Sequence, residues 1–223
     1  VYKRQAQEGT SLENFVGGDV YGGFVTLSGN TFSSSSDGSA WIVEADLDPD
    51  IIGNIQAVVV TENVEIREGD ALPEVNGTVD DVFAVHMSGN GSWFARGGTD
   101  ADVEWAVKDG TVVAVTFDPI VTGSSERWSN ASSSATFSTI TGNDAGRLLL
   151  IGGTDELDPD RDTVMVLDGE TVLAREGDPI DLDGNGVFDD DVFIRSFSAN
   201  DAVISLANEV LFFATLRDAV GTN

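Results

Sequence analysis

The acidic run Asp181-Leu182-Asp183-Gly184-Asn185-Gly186-Val187-Phe188-Asp189-Asp190-Asp191 carries the sharpest chemical pattern in the chain. Oxygen-bearing residues at its first, third and fifth places, glycine at the sixth and aspartate at the ninth match the calcium-loop pattern D-x-[DN]-x-[DN]-G. The spacing has a physical cause: Ca²⁺ takes about six to eight oxygens, alternate residues of a curling loop point inward, and glycine permits the sharp turn. The expected ligands are Asp181, Asp183, Asn185, the carbonyl of Val187, Asp189 and Asp191, with Ca²⁺ as the cofactor. The twelfth place is Val192, where the pattern asks for a bidentate carboxylate. Asp191, one residue early, has to substitute, or a weaker site uses Asp189 or Asp190.

A second candidate is the loop Ser124-Ser125-Glu126-Arg127-Trp128-Ser129-Asn130. An exposed indole beside Arg, Ser and Asn is how a protein stacks on a sugar ring and hydrogen-bonds its hydroxyls, so Arg127 and Trp128 are expected to contact a glycan. Trp93 and Trp105 lie in strand patterns and are expected in the core. His86 is the only histidine and there is no cysteine, which leaves no zinc site and no thiol chemistry, and a Ser-His-Asp triad would have to use His86. No catalytic residue is assigned. A glycosidase needs only two carboxylates, which keeps a polysaccharide-acting hydrolase open as an alternative. Asp70, Asp118 and Asp178 recur at one place in successive units and read as turn-formers.

The elements that must position these residues form a repeat. Thr136–Pro179 holds four strand-like runs, Thr136–Ile140, Arg147–Ile151, Thr163–Leu167 and Thr171–Arg175, with hairpin chemistry at Asn143–Gly146 and Asp168–Glu170. Its first turn recurs at Asp37, Asn90, Asn143 and Asn200, in steps of 53, 53 and 57 residues. Phe83, Phe137 and Phe193 mark the first strand, and Ile66–Asp70, Val115–Pro119 and Ala174–Pro179 close successive units. The predicted architecture is therefore all-β, in tandem four-stranded antiparallel repeats of about 54 residues, the size of a propeller blade. The units run about 32–82, 83–135, 136–191 and 192–223, the last cut short, and Ser11–Thr31 reads as a remnant of an earlier one. A partial β-propeller is the leading architecture and a pair of stacked β-sandwiches the alternative. The acidic, variable connections Asp46–Asp50, Asp155–Asp162 and Asp178–Asp191 fall at the end opposite the short turns, where function usually sits.

Asn143-Asp144-x-Gly146, an apolar strand and then Thr171-Val172-Leu173-Ala174-Arg175-Glu176-Gly177-Asp178-Pro179 resemble the propeller-like repeats of secreted bacterial proteins, common in planctomycetes. The resemblance covers roughly Asp37 to Leu216. The Arg-Glu-Gly-Asp run is intact at Arg67–Asp70 and Arg175–Asp178, whereas Thr116-Phe117 replaces it in the second unit. What the resemblance implies is a secreted or surface-attached protein, and it brings no catalytic residue.

Composition agrees with an extracellular binding role. The 223 residues carry a net charge of −28, a surface that repels nucleic acid and anionic lipid and favours cations or high salt. No run of about 18 apolar residues is present to span a membrane. Absence of cysteine excludes disulfides. Val1-Tyr2-Lys3-Arg4-Gln5 reads as the translation of a sequencing adapter, so residues 6–223 are expected to be a fragment of a longer reading frame. The functional expectation is a calcium-binding, non-enzymatic module of a marine or saline bacterium that recognises a glycan or cell-surface component. An architectural spacer without a ligand is the plainer alternative.

Overall fold

The computed structural model describes residues 21–23, 32–47, 55–129 and 136–218. The expected remnant unit before Thr31 and the Asp-Pro-Asp loop at Asp48–Asp50 lie largely outside them. The described residues are all β, with no helix, in four antiparallel sheets. Sheet 1 comprises β1 (Tyr21–Gly23) and β2 (Phe32–Ser34), both paired with β3 (Trp41–Leu47), then β4 (Ile55–Val60) and β5 (Asn63–Arg67). Sheet 2 is the meander β6 (Val79–Met87), β7 (Trp93–Thr99), β8 (Glu104–Lys108) and β9 (Thr111–Val115). Sheet 3 is β10 (Phe137–Gly142), β11 (Leu148–Gly153), β12 (Thr163–Leu167) and β13 (Thr171–Arg175). Sheet 4 is the hairpin β14 (Val192–Ile204) with β15 (Val210–Asp218).

The chain divides into two compact units. The first is Val1–Val115 with the turn Gly142–Gly146, and the second is Thr116–Thr141 with Arg147–Asn223. In the first, Ile42, Val58 and Ile66 of sheet 1 meet Val82, Val85, Trp93 and Trp105 of sheet 2 in one buried cluster. In the second, Leu149, Ile151 and Met165 of sheet 3 meet Ala202 and Ile204 of sheet 4. Burial on both faces explains why the second strands read as continuous apolar runs, Trp41-Ile42-Val43 and Leu148-Leu149-Leu150, rather than alternating ones.

The turns repeat down to single dihedral angles. The hairpin between third and fourth strands uses two left-handed residues each time: Thr61 and Glu62 (φ 47° and 74°), Asp109 and Gly110 (48° and 79°), Asp168 and Gly169 (53° and 68°). Left-handed backbone at both central positions is the turn whose twist matches the strands it joins. A side-chain oxygen of its first residue then accepts the amide that opens the second strand. Asp109 accepts Trp93 N at 2.8 Å, Asp168 accepts Leu148 N at 2.7 Å, and Thr61 accepts Trp41 N at 3.2 Å.

The first turn is equally regular, with one correction. Asp37, Asn90 and Asn143 each accept the amide two residues on, from Ser39, Ser92 and Ala145. In sheet 4 this part falls to Ser205, which accepts Ala207 N. Asn200 and Asp201 lie within β14, where the chain advances from Phe197 to Ala202 while its partner moves only from Ala214 to Phe212. Extra residues are absorbed as a bulge, so the reversal comes later than the sequence period predicts.

The unit-closing marker hands the chain from one sheet to the next. Gly69 N donates to Val79 O and Val79 N to Asp70 O, and the same pair recurs between Gly177 and Ile194 and between Ile194 and Asp178. Phe117 N with Trp128 O, and Trp128 N with Asp118 O, make the third copy. The divergent Thr116-Phe117 marker thus keeps the backbone course of the others: Phe117 sits at φ 76°, beside 88° for Gly69 and 79° for Gly177.

A left-handed backbone costs a non-glycine residue roughly 1–2 kcal/mol, which glycine avoids at some expense in chain entropy. Phe117→Gly is therefore expected to stabilise the protein by about 1 kcal/mol in urea denaturation. Gly69→Ala, where a Cβ meets nothing within 4 Å, is expected to lose about as much through backbone strain alone.

Candidate metal centre

The loop Asp181–Asp191 joins β13 to β14, leaving at the marker and returning where Pro179 bridges Phe193. Asp181 organises its first half. One carboxylate oxygen accepts Gly184 N at 2.8 Å and Asn185 N at 3.2 Å, and the other accepts Gly186 N at 2.7 Å. The Gly186 amide, then those of Gly184 and Asn185, hold this carboxyl below its ordinary range, so it stays ionised. Gly184 and Gly186 supply the curl at φ 72° and 85°. Neither has an atom within 4 Å of where a Cβ would stand, so the glycines serve backbone freedom and not close packing.

Asp190 closes the loop from its far side, accepting Leu182 N at 2.6 Å and Asp183 N at 3.3 Å. The carboxylate oxygens of Asp181, Asp183 and Asp190 consequently converge, all within 4.8 Å of one another. That is a separation one Ca²⁺ at about 2.4 Å from each can bridge. Asp181 and Asp183 are both expected from the spacing, and Asp190 is one of the two alternatives, with Asp189, to Asp191. Asp189 and Asp191 stand outside the convergent set. Asp191 instead takes a left-handed backbone, φ 57°, as the chain turns into β14. Asn185 keeps its side chain inside the loop, donating to Asp183 at 2.9 Å and accepting Val187 N at 2.7 Å.

The expected glycan contact is overturned at its centre. Trp128 is 1% exposed and packs edge-to-face on Phe137 with ring centroids 5.1 Å apart. Its two backbone bonds with Phe117 and Asp118 put it where Val79 and Ile194 stand in their sheets. The residue that looked like a loop tryptophan is thus a displaced piece of strand, bridging Thr154. Arg127 remains exposed, but its Nη1 donates to the Phe117 carbonyl at 2.6 Å and braces the same segment. A Cβ at Gly152 would stand 2.9 Å from the Trp128 ring, and one at Gly97 2.4 Å from that of Trp105. The Gly-Gly pairs ending the second strands were the sequence signal that an indole lies over them.

Trp93 and Trp105 are buried, as their strand patterns predict. His86 is half-buried against Phe94, with ring centroids 6.0 Å apart, and burial pushes its pKa down. Asp70 and Asp178 form turns, accepting the amides of Arg67 and Arg175, each at 2.8 Å.

Two features of the second unit escaped sequence reasoning. Arg175 of the marker makes a paired ion bridge to Glu126, Nη1 to Oε1 at 2.8 Å and Nη2 to Oε2 at 2.6 Å, while Thr154 Oγ1 also donates to Glu126. Nearby, Asp158, Asp160, Arg161, Phe193, Arg217 and Asp218 line a cleft of about 350 Å³, with Arg217 paired to Asp160. Comparison with protein-family models, with curated proteins and with solved structures finds no match.

Removing a buried indole leaves a cavity as well as lost transfer free energy. Trp128→Ala is expected to cost about 4 kcal/mol in urea denaturation, a core effect that an exposed ligand platform would not show.

Proposed function

We propose that the chain is a calcium-binding, non-enzymatic module of propeller type that works outside the cell in adhesion, surface attachment or glycan recognition. The observation that carries the calcium reading is the convergence of Asp181, Asp183 and Asp190 in a loop with the spacing of a calcium site. Three like charges held this close repel one another, and a divalent cation removes that cost while supplying the loop with a rigid centre. The donors are hard oxygens, which suit Ca²⁺ over softer metals. Several further ligands in such a site would come from backbone carbonyls and water.

The propeller reading is supported by the four-stranded meander with recurrent turns, by second strands buried on both faces, and by a marker that passes the chain to the next first strand. The extracellular reading is supported by composition, a strongly acidic chain free of cysteine. Calcium bound between β13 and β14 would then fix the connection between consecutive repeats, a structural use that suits a protein exposed to millimolar Ca²⁺.

The test is thermal unfolding in Ca²⁺, Mg²⁺ and Na⁺ at matched ionic strength. A ligand specific to the native state adds about 2.7 kcal/mol at 100 times its Kd. Calcium is expected to stabilise the protein beyond the other two ions, and Asp181→Ala with Asp183→Ala to abolish the difference. Asp190→Asn is expected to do the same, whereas Asp189→Asn should leave it in place. Equal responses to all three ions would reduce the loop to a screened acidic surface and defeat the proposal.

A further inference from the structure

Glu44 is a buried acid of the first unit. It lies in the middle of β3, opposite Val58 of β4, on the face where Ile42 and Val58 pack against sheet 2. The residue is 1% exposed, and neither carboxylate oxygen has a hydrogen-bond partner among the described residues. The polar side chains of sheet 1 that reach sheet 2 bond to its backbone. Gln56 Oε1 accepts Val82 N at 2.9 Å, and Ser33 Oγ accepts Met87 N at 2.6 Å, so both contacts between the sheets are complete without Glu44.

Among the described residues no positive charge acts on it. The charged groups that act on Glu44 are Asp46, two residues on in the same strand, and Asp81 of β6 on the facing sheet. Behind these stand more acids, Glu68 beside Asp46 and Asp80 beside Asp81. β4 offers only Val58 and the Gln56 amide at this level. Arg96 of β7 follows Ala95, whose side chain joins the cluster shared with sheet 1, and so points to the opposite face, over Phe83. An ionised carboxylate in such a place would be desolvated, unpaired and repelled, the costliest state a side chain can hold. A neutral carboxylic acid avoids the charge cost.

The second unit shows what the position asks for when charge is not wanted. Counting back from the turn that follows each third strand, Ile151 opposite Met165 occupies the place of Glu44 opposite Val58. Ile151 is 1% exposed and belongs to the apolar cluster between sheets 3 and 4. The fold accommodates a branched aliphatic chain here, so an acid is no requirement of the architecture.

We propose that the packing of sheet 1 on sheet 2 is closed by a proton held on Glu44, which makes the first unit a pH-sensitive element that is tightest in acid and loosens as the pH rises to neutrality. The direction of titration agrees with the geometry: burial first, then Asp46 and Asp81, push this carboxyl from 4.5 up to about 7. Below about pH 4.5 the acid is protonated in folded and unfolded chains alike, and nothing is lost. As pH rises from there to about 7, the unfolded chain releases the proton and the folded one retains it, so stability falls. Above the folded value both are ionised and the loss is complete.

The experiment is amide hydrogen exchange of the full chain, read by mass spectrometry on peptides from β3, β4 and β6 and corrected for intrinsic exchange. In the wild type the protection of these strands is expected to fall roughly tenfold between about pH 6 and about pH 8.5. Glu44→Gln is expected to flatten that dependence. Glu44→Ile, which copies the second unit, should flatten it too and hold higher protection at the alkaline end, and it serves if the glutamine variant folds poorly. Flat wild-type protection, or parallel losses in wild type and both variants, would overturn the proposal. So would recovery of wild-type protection at about pH 8.5 on adding about 10 mM CaCl₂ if Glu44→Gln fails to respond, since the cluster would then hold a metal and not a proton.

Discussion

Burial of the second strand on both faces is the constraint from which most of the molecule follows. A strand that is apolar on each side cannot stop at one sheet; it needs packing above and below. Sheet 1 therefore packs on sheet 2 through Ile42 and Val58, and sheet 3 on sheet 4 through Leu149 and Met165. With the faces committed to packing, polar chemistry is driven to the strand ends. That is where the acidic loop, the Glu126–Arg175 pair and the cleft are found.

Glu44 departs from this rule, and the departure gives it meaning. Its neighbours Ile42 and Val58 on the same face are apolar, Gln56 bonds to Val82, and the equivalent residue in the second unit is Ile151. The convergent aspartates of the loop show the opposite solution to the same electrostatic difficulty. Asp181 is surrounded by backbone amides that hold it ionised, in a half-exposed place open to a cation, whereas Glu44 is buried between sheets, and the charged groups that act on it are Asp46 and Asp81. Two carboxyls of one chain are thus tuned in opposite directions, Asp181 downward by backbone amides and Glu44 upward by burial and then by Asp46 and Asp81.

Turn chemistry and repeat length were legible from residue types because both are local. Asp37, Asn90 and Asn143 make their turns through side-chain bonds two residues away, and Asp168-Gly169 adopts the left-handed pair that its composition announces. Strand positions followed from the same apolar runs, and Thr163–Leu167 and Thr171–Arg175 were placed to the residue. The period misplaced one turn. Asn200 has the right chemistry, but the bulge in β14 is set by pairing with β15, which spacing alone does not reveal.

The sequence by itself determined that this chain is an all-β repeat of four-stranded meanders, where the reversals fall in three of four copies, and which loop gathers carboxylates. These depend on periodicity and on interactions spanning two to six residues, which the order of residues encodes directly. Only the tertiary structure decided that Trp128 is core, that Asp190 and not Asp191 completes the acidic cluster, and that Glu44 is sealed between two sheets. Each of these turns on contacts between segments far apart in the chain or on the path of a loop through space. A polar neighbourhood in sequence made Trp128 look exposed. Its environment is fixed by Thr154, Phe137 and the glycine of β11, which pairing brings over it from well along the chain.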